Sequence, residues 1–507
     1  MTDAAAPPTP EDDLPDQMRV RRAKRARLLE EGREAYPVGV PRTHTLAEVR
    51  AGWPGLEAGE ETQDVVAITG RVVFVRNTGK LCFATLQEGI GTRLQVMLSL
   101  AEVGEESLED WKHTVDLGDH VAVEGRVIAS KRGELSVMAS SWQMASKALR
   151  PLPVLHKELS EESRVRQRYA DLIVRQEARD MVRTRAAVLR SIRSTLDDAG
   201  FLEVETPILQ TVHGGAAARP FGTHLNAFDQ DMTLRIALEL FLKRAVVGGV
   251  DRVYEMGRIF RNEGVDSTHS PEFTMLEFYE AYGDQFTAAE RTRAIVLNAA
   301  EAAGVGTTIV DHHGREVDLS GEWRWLPIAD AVSDALGEQI ATDETEENAA
   351  ALRAHAEARD VALKPGWGAG EIILELYEQL VEHTLVQPTF VCDYPESVRP
   401  LARQHRSEPG LVEAWDLIIG GMELAPSYSE LVDPVIQRER LTEQSLLAAG
   451  GDAEAMQLDE DFLRALEYGA PPMGGTGIGV DRLVMLLTGV GIRETILFPL
   501  LKPEVDR

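Results

Sequence analysis

At 507 residues the chain exceeds what one hydrophobic core holds, so two or three domains are expected. Hydrophobic content of 44% and charged content of 27% mark a globular protein, and no apolar run approaches the length of a membrane span. A formal net charge of -30 excludes indiscriminate coating of nucleic acid and leaves only local basic patches for such a partner.

The opening residues, MTDAAAPPTPEDDLPDQ, are acidic and proline-rich, so 1–16 are expected to be a disordered tail and not a signal peptide. Residues 17–60 are read as a basic helix and a connection. Arg19, Arg21, Arg22, Lys24, Arg25 and Arg27 fall in a stretch with few helix breakers, and a helix there carries cations around most of its circumference. That pattern suits a solvated surface as well as a nucleic-acid contact.

Over 61–146, five β-rich runs with a more helical piece, SLEDWKHTV, between the third and fourth predict an OB-fold barrel. Such barrels stack bases on aromatics and match phosphates with cations. Phe83 and Gln95 are the candidate plate and amide, with Arg76, Lys80, Lys131 and Glu134 nearby. Taken alone, Phe83 is more often a core residue. Cys82 and Cys392 stand far apart without ligand-like neighbours, which fits a reducing cytoplasm and supports neither a disulfide nor a zinc site.

KALRPLP opens a linker over 147–178, and 179–507 is read as a second domain. Met181, Val182, Val188, Leu189, Ile192 and Leu196 recur at helical spacing, so Arg183 to Asp198 is expected to be an amphipathic helix stopped at Gly200. FLEVETPIL then predicts a strand ended by Pro207. Two extended runs, Val253 to Phe260 and Phe273 to Tyr279, flank a polar loop and predict a long-tipped hairpin. Alternation puts Phe273, Met275, Glu277 and Tyr279 on one face, while Ile259 and Arg261 share a parity that Glu263 continues if the strand does. Without a ligand this is equally a surface hairpin laced with salt bridges.

Further on, a Gly420-Gly421 turn in AWDLIIGGMELAPSYSEL sets Ile418 opposite Glu423 and Asp416 on the face of Ile418, so both carboxylates point one way. Two solvated acids are the plain alternative. The same alternation separates Glu423 from Glu430 unless the strand bulges, for which Pro426 is a plausible site. Gly475, Gly477 and Gly479 recur at period two, which leaves one strand face bare beneath a ligand. No G-x-x-x-x-G-K-[ST] sequence occurs, so phosphate binding by a P-loop is not expected.

GFLEVETP at 200–207, GRIFRNE with its loop and PEFTMLEFY at 257–279, and GIGVDRLVMLL at 477–487 occur in the order of the three class II aminoacyl-tRNA synthetase signatures. With RQRYADLI, HGGAAARPF, YSELVDP and ILFPL, the chain most closely resembles the bacterial lysyl-tRNA synthetases, from the basic helix to Leu501. The resemblance implies an α+β protein: an N-terminal OB-fold β-barrel followed by a class II catalytic domain with an antiparallel sheet flanked by helices. It also implies ATP-dependent ligation of L-lysine to tRNA-Lys through a lysyl-adenylate, in a cytoplasmic homodimer. Residues 326–385 resemble the family's helical insertion and are assigned no catalytic role.

By the same resemblance, catalytic Arg261 bridges the substrate carboxylate and α-phosphate, a bidentate geometry that Lys cannot copy. The ATP set is Arg261, Glu263, His269, Phe273, Gly479 and Arg482, with Phe273 stacking on adenine. Asp416 and Glu423 would hold Mg²⁺ against the phosphates, a hard ion that shares its ligands with the nucleotide. Gly215, Glu239, Glu277, Tyr279, Tyr428 and Glu430 would surround lysine, with Glu239 on the α-amino group and Glu430 with Tyr279 on the ε-ammonium. A buried ammonium requires such partners. Phe83, Gln95, Glu134 and Arg76 would read the anticodon. The chain departs from the family at Pro426 and Val432, where Asn is common, at Thr268, where Arg is, and at Asp416, where Glu is.

Two other readings share parts of this pattern. A paralogue that passes the adenylate to a protein lacks the OB domain, and a silent tRNA-binding paralogue would not need Arg261, Glu263, Phe273 and Arg482. A membrane-anchored lysyl-lipid synthase is expected to carry an added transmembrane region.

Overall fold

The computed structural model describes residues 14–89, 91–153, 159–266, 268–450 and 455–503. The expected tail over 1–16 lies almost wholly outside them. The chain divides into two compact units, residues 1–180 and 181–507.

In the first unit, helix Asp16–Glu30 precedes strands β1 (Glu61–Asn77), β2 (Leu81–Glu88), β3 (Thr92–Ser99), β4 (His120–Ala129) and β5 (Leu135–Ser146). These close into a barrel in the order β1-β2-β3-β5-β4, the predicted OB arrangement. Alternation along β2 sends Cys82, Ala84 and Leu86 into the core. Helix Glu105–Thr114, between β3 and β4, adds buried Trp111, which meets Trp142 edge-on at 5.1 Å. The first helix is less uniformly basic on its surface than its sequence suggests. Arg21 is buried and donates to the carbonyls of Leu117 and Ala148, Lys24 pairs with Asp116 at 2.7 Å, and Arg27 donates to Thr114 Oγ1. Those cations hold the unit together.

The second unit contains β6 (Leu202–Glu203), β7 (Leu209–Gln210), β8 (Gly222–Leu225), β9 (Gln230–Leu234), β10 (Arg252–Phe260), β11 (Glu272–Ala281), β12 (Thr308–Val310), β13 (Glu316–Asp318), β14 (Arg324–Pro327), β15 (Thr389–Cys392), β16 (Ala414–Ile419), β17 (Met422–Ser429) and β18 (Met473–Gly479). Eight of them form one sheet in the order β14-β15-β16-β17-β18-β11-β10-β6. It is antiparallel through its centre and parallel at both edges, where β14 meets β15 and β10 meets β6. The expected long strand after Gly200 shrinks to two residues of edge pairing with β10. Three neighbouring residues, Leu202, Ile208 and Leu209, stay exposed.

One face of the sheet is sealed by helices. Val188, Ile192 and Leu196 of helix Gln176–Asp198 pack with Ile295, Val296 and Ala299 of helix Gln285–Ala303 in one cluster that also contains Leu276, Phe278, Trp415 and Leu417. The first of these helices starts earlier than predicted and stops before Gly200, whose φ of +80° is the left-handed conformation that glycine adopts readily. The opposite face, bearing Glu277, Tyr279 and the β18 glycines, is left for chemistry. Between β14 and β15, helices Ile328–Leu336, Glu346–Glu357 and Ala369–Leu380 build their own apolar cluster against Val391, Ala414 and Ile418.

Candidate active site

The hairpin β10–β11 forms in the predicted register, with Ile259 opposite Phe273 and Glu255 opposite Glu277. β10 ends at Phe260, so Arg261 and Glu263 stand beyond it, and the turn is held by the Arg261 N–H donating to Pro271 O at 2.9 Å. Arg261, Glu263, His269, Phe273, Gly479 and Arg482 line one cavity of about 200 Å³, together with Glu423 and Pro426. The Arg261 guanidinium lies 5.3 Å from the Phe273 ring centre and donates to Ile236 O. His269 is held by Asp266 through Nδ1 at 2.9 Å and faces Arg482 Nη2 at 3.3 Å. Arg482 is set in turn by its bond to Glu423 O at 2.7 Å.

Asp481, buried beside Arg482, ties this wall together. Its Oδ2 accepts the Thr274 N–H at 2.7 Å and its Oδ1 accepts Arg185 Nη1 at 2.5 Å, while Arg185 also donates to Thr274 Oγ1. Phe273 and Met275 are thereby clamped against the helix that carries Arg482.

Glu277 lies two residues along the face from Met275 and begins a buried cluster of acids. Its Oε1 accepts the Leu238 N–H at 2.9 Å and its Oε2 the Tyr279 hydroxyl at 3.1 Å. Burial, with the Glu239 carboxylate close by, pushes the Glu277 carboxyl up to about 7. Glu430 enters from just beyond β17 and is pushed up to about 8, chiefly by burial, against the opposing pull of Lys243. Glu239 completes the trio at the start of helix Glu239–Val247. Gly215, at φ +84°, packs so closely that an added Cβ would sit 3.1 Å from Glu239 Cβ. Tyr428 and Tyr279 both pair with Gly475, where an added Cβ would overlap Glu430 Oε1 and the Tyr279 ring. The bare glycine face is therefore filled by protein at Gly475. At Gly477 and Gly479 an added Cβ would meet only ordinary contacts.

The structure brings all six lysine candidates to this face, with a residue sequence reasoning passed over: Lys243, buried, pairs with Glu239 at 2.6 Å and with Glu430. Its position four residues after Glu239 on a helix was the available signal. Pro426 lines the cavity that holds Arg261 and Phe273, and Val432 packs in the apolar cluster with Leu238 and Tyr279, so neither offers a side-chain amide.

Gly420 and Gly421, at φ +65° and +69°, make the predicted tight turn, and Ile418 pairs with Glu423. A bulge follows at Leu424, earlier than the Pro426 position anticipated, because Leu417 pairs with Ala425 and Asp416 with Pro426. Leu424 and Ala425 both enter the core, which returns Pro426, Tyr428 and Glu430 to the face of Glu423. Asp416 and Glu423 differ in environment. Asp416 is buried, its Oδ2 accepting from Tyr394 at 2.7 Å and Arg399 at 2.5 Å, while Glu423 is partly exposed in the cavity. Among the described residues no group of three His, Cys, Asp or Glu is arranged to hold a metal. Asp416 Oδ1, however, is buried without a hydrogen-bond partner. Two hard oxygen donors fit an ion that takes its other ligands from phosphate and water. Glu382, in the stretch read as a helical insertion, lines the adjoining cavity with Glu423, and burial beside Glu423, Glu378 and Asp416 pushes it up to about 7.

On the barrel, Arg76 pairs across the ladder with Phe83, Thr85 with Gln95, and Gln95 with Ser136, whose Oγ accepts the Gln95 amide at 2.8 Å. Phe83 therefore points away from the core. Glu134 lies exposed just before β5, 3.5 Å from Arg50. The bulge at Val73 turns Phe74, 52% exposed, onto this same outer face opposite Thr85, a second aromatic that sequence reasoning missed.

The class II tRNA synthetase family (D, K and N) matches residues 160–502, and the OB-fold nucleic acid binding domain matches residues 66–145. A lysine–tRNA ligase of Kineococcus radiotolerans is 60% identical over 495 residues, covering 97% of this chain and 98% of that protein. A lysine–tRNA ligase of Mycobacterium tuberculosis is 58% identical over 500 residues, with 97% and 98% covered. The lysylphosphatidylglycerol biosynthesis bifunctional protein of Mycobacterium marinum is 50% identical over 500 residues, covering 98% of this chain but 44% of that longer protein. With signatures, sheet and barrel all in agreement, the chain belongs to the class II tRNA synthetases, the family that includes the D, K and N enzymes.

Proposed function

We propose that the protein is a lysine–tRNA ligase: it joins L-lysine to ATP as lysyl-adenylate, releases pyrophosphate, and passes the lysyl group to the terminal ribose 3′-hydroxyl of tRNA-Lys with release of AMP. One observation carries the reading. A single strand, β11, presents Phe273 and Met275 to a cavity lined also by Arg261 and Arg482, and Glu277 and Tyr279 to a buried acidic cluster next to it.

Attack of a carboxylate on the α-phosphorus needs no general base. It needs alignment and charge stabilisation. Arg261 supplies a planar fork to the carboxylate and α-phosphate, Phe273 a plate for adenine, Glu263 an acceptor for its amine, and Arg482 the cation along the phosphates, with His269 beside it. Asp416 and Glu423 would hold Mg²⁺, which neutralises phosphate charge when bound. Glu239, Glu277 and Glu430 select a ligand with two ammonium groups, since an anionic side chain entering among three carboxylates is repelled. Phe83, Phe74, Arg76, Gln95 and Glu134 form the anticodon-reading face. Exposed Leu202, Ile208 and Leu209 support a homodimer, measurable as a doubled mass by light scattering.

Pyrophosphate exchange with each amino acid in turn tests the reading, followed by charging of tRNA-Lys. Lysine is expected to drive exchange and to end on the tRNA. Exchange with another amino acid, or none, sinks the assignment, and exchange without charging redirects the adenylate to a different acceptor.

A further inference from the structure

Lys243 reaches the amino-acid pocket from helix Glu239–Val247 with its side chain only 1% exposed. Its Nζ lies 2.6 Å from Glu239 Oε1, one helical turn back, and also pairs with Glu430 Oε2, with the Tyr279 ring centre 6.0 Å away. Burial opposes a charge on Lys243, but Glu239 and Glu430 outweigh it and raise the ammonium above its ordinary range. Both oxygens of Glu277 are already used, by the Leu238 N–H and the Tyr279 hydroxyl. Glu239 and Glu430 each spend one oxygen on Lys243 and keep the other. The free oxygen of Glu430 is the one lying against Gly475.

Those two carboxylates are the ones given above to the α- and ε-ammonium groups of lysine, and one fixed nitrogen touches both. We propose that Lys243 is a positioning residue that fixes the spacing of Glu239 and Glu430 and thereby selects the length of the diamine substrate, lysine over its one-methylene-shorter homologue ornithine. The inference rests on the lysine reading of the site. Without the ammonium the two carboxylates repel or share a proton, and the span between the ligand's two anchors is no longer set. Lys243 stays when the substrate binds, because the pocket then still holds three carboxylates for its cations.

The test compares pyrophosphate exchange with lysine and with ornithine in the wild type, Lys243→Met and Lys243→Arg. A single methylene is worth about 10- to 200-fold in selectivity. Lys243→Met is expected to lower the lysine-to-ornithine ratio of kcat/KM by about tenfold or more, raising KM for lysine and leaving KM for ATP unchanged. Lys243→Arg keeps the charge with a different reach, and is expected to lower the ratio while losing less turnover. It decides the matter if Lys243→Met does not fold, which a melting curve reports. Equal losses with both substrates, leaving the ratio at its wild-type value, overturn the inference. A wild type that shows no lysine-dependent exchange overturns the lysine reading instead.

Discussion

At the scale of single residues, the site separates charge that is fixed from charge that is adjustable. Arg261 is the fixed kind, and its value lies in a planar fork, so Arg261→Lys is expected to lower kcat/KM in pyrophosphate exchange by about a hundredfold or more while the melting temperature stays near that of the wild type. Glu277 is adjustable, at about 7. Its pKa is raised above the ordinary carboxylate value of about 4.3, so between that value and about 7 the folded, ligand-free protein holds a proton that the unfolded chain has lost. Its stability therefore falls as pH rises through the window. A lysine ligand needs Glu277 ionised and brings two ammonium groups to the acids, with Glu239, Glu430, Lys243, Tyr279 and Arg261 as the other groups around it. The rise in melting temperature on adding lysine should be larger at pH 8 than at pH 6, and an equal or reversed effect would contradict these assignments. Most of these residues were legible because their types are unusual on a strand face: an aromatic, a carboxylate and a phenol at period two. Lys243 was not, since a lysine four places from a glutamate on a helix is ordinarily a surface pair, and only the fold reveals that this one is buried.

At the scale of elements, what aligns the site is the join between β11 and the helix that follows β18. Asp481 makes it, bonding the Thr274 backbone and Arg185 at once. Asp481→Ala leaves Arg185 without its carboxylate and is expected to cost about 3 kcal/mol of stability in denaturant unfolding, and to raise KM for ATP more than KM for lysine, because Phe273 and Arg482 are the groups released. Element types followed from periodicity, while element lengths did not. The strand expected after Gly200 dwindled to Leu202–Glu203 because it is an edge that pairs on one side only. The bulge in β17 could be inferred as a need, from the parity of Glu423 and Glu430, but its place at Leu424 depends on which residue fits the helical face of the sheet. Likewise Glu382 reaches the cavity beside Glu423 and Arg482 through packing that no local pattern encodes.

At the scale of the whole molecule, the chemistry and the reading of tRNA are assigned to different units, and this division can be measured. All of the proposed adenylation residues fall within 181–507, and the barrel candidates within 1–180. Phe83→Ala and Phe74→Ala are each expected to reduce kcat/KM for tRNA charging by about 5- to 150-fold, from about 1–3 kcal/mol of lost base stacking, with lysine-dependent pyrophosphate exchange unchanged. A parallel fall in exchange would show that the aromatics serve the fold and not the tRNA. The two-domain plan was readable from the β-rich runs and the three signatures, while the boundary after Asp180 lies well beyond the proline-marked stretch at 147–153. How far the first helix is committed to its own unit was not, because sequence shows the cations of Arg21, Lys24 and Arg27 but not the carbonyls and Asp116 that receive them. The bulge at Leu424 also bears on how such a chain can change over time. Because the ladder on its far side is counted from that one extra residue, loss of Leu424 itself would close the bulge and leave Tyr428 and Glu430 on the face of Glu423, whereas one residue inserted between Pro426 and Tyr428 in a regular ladder would rotate both into the helical core.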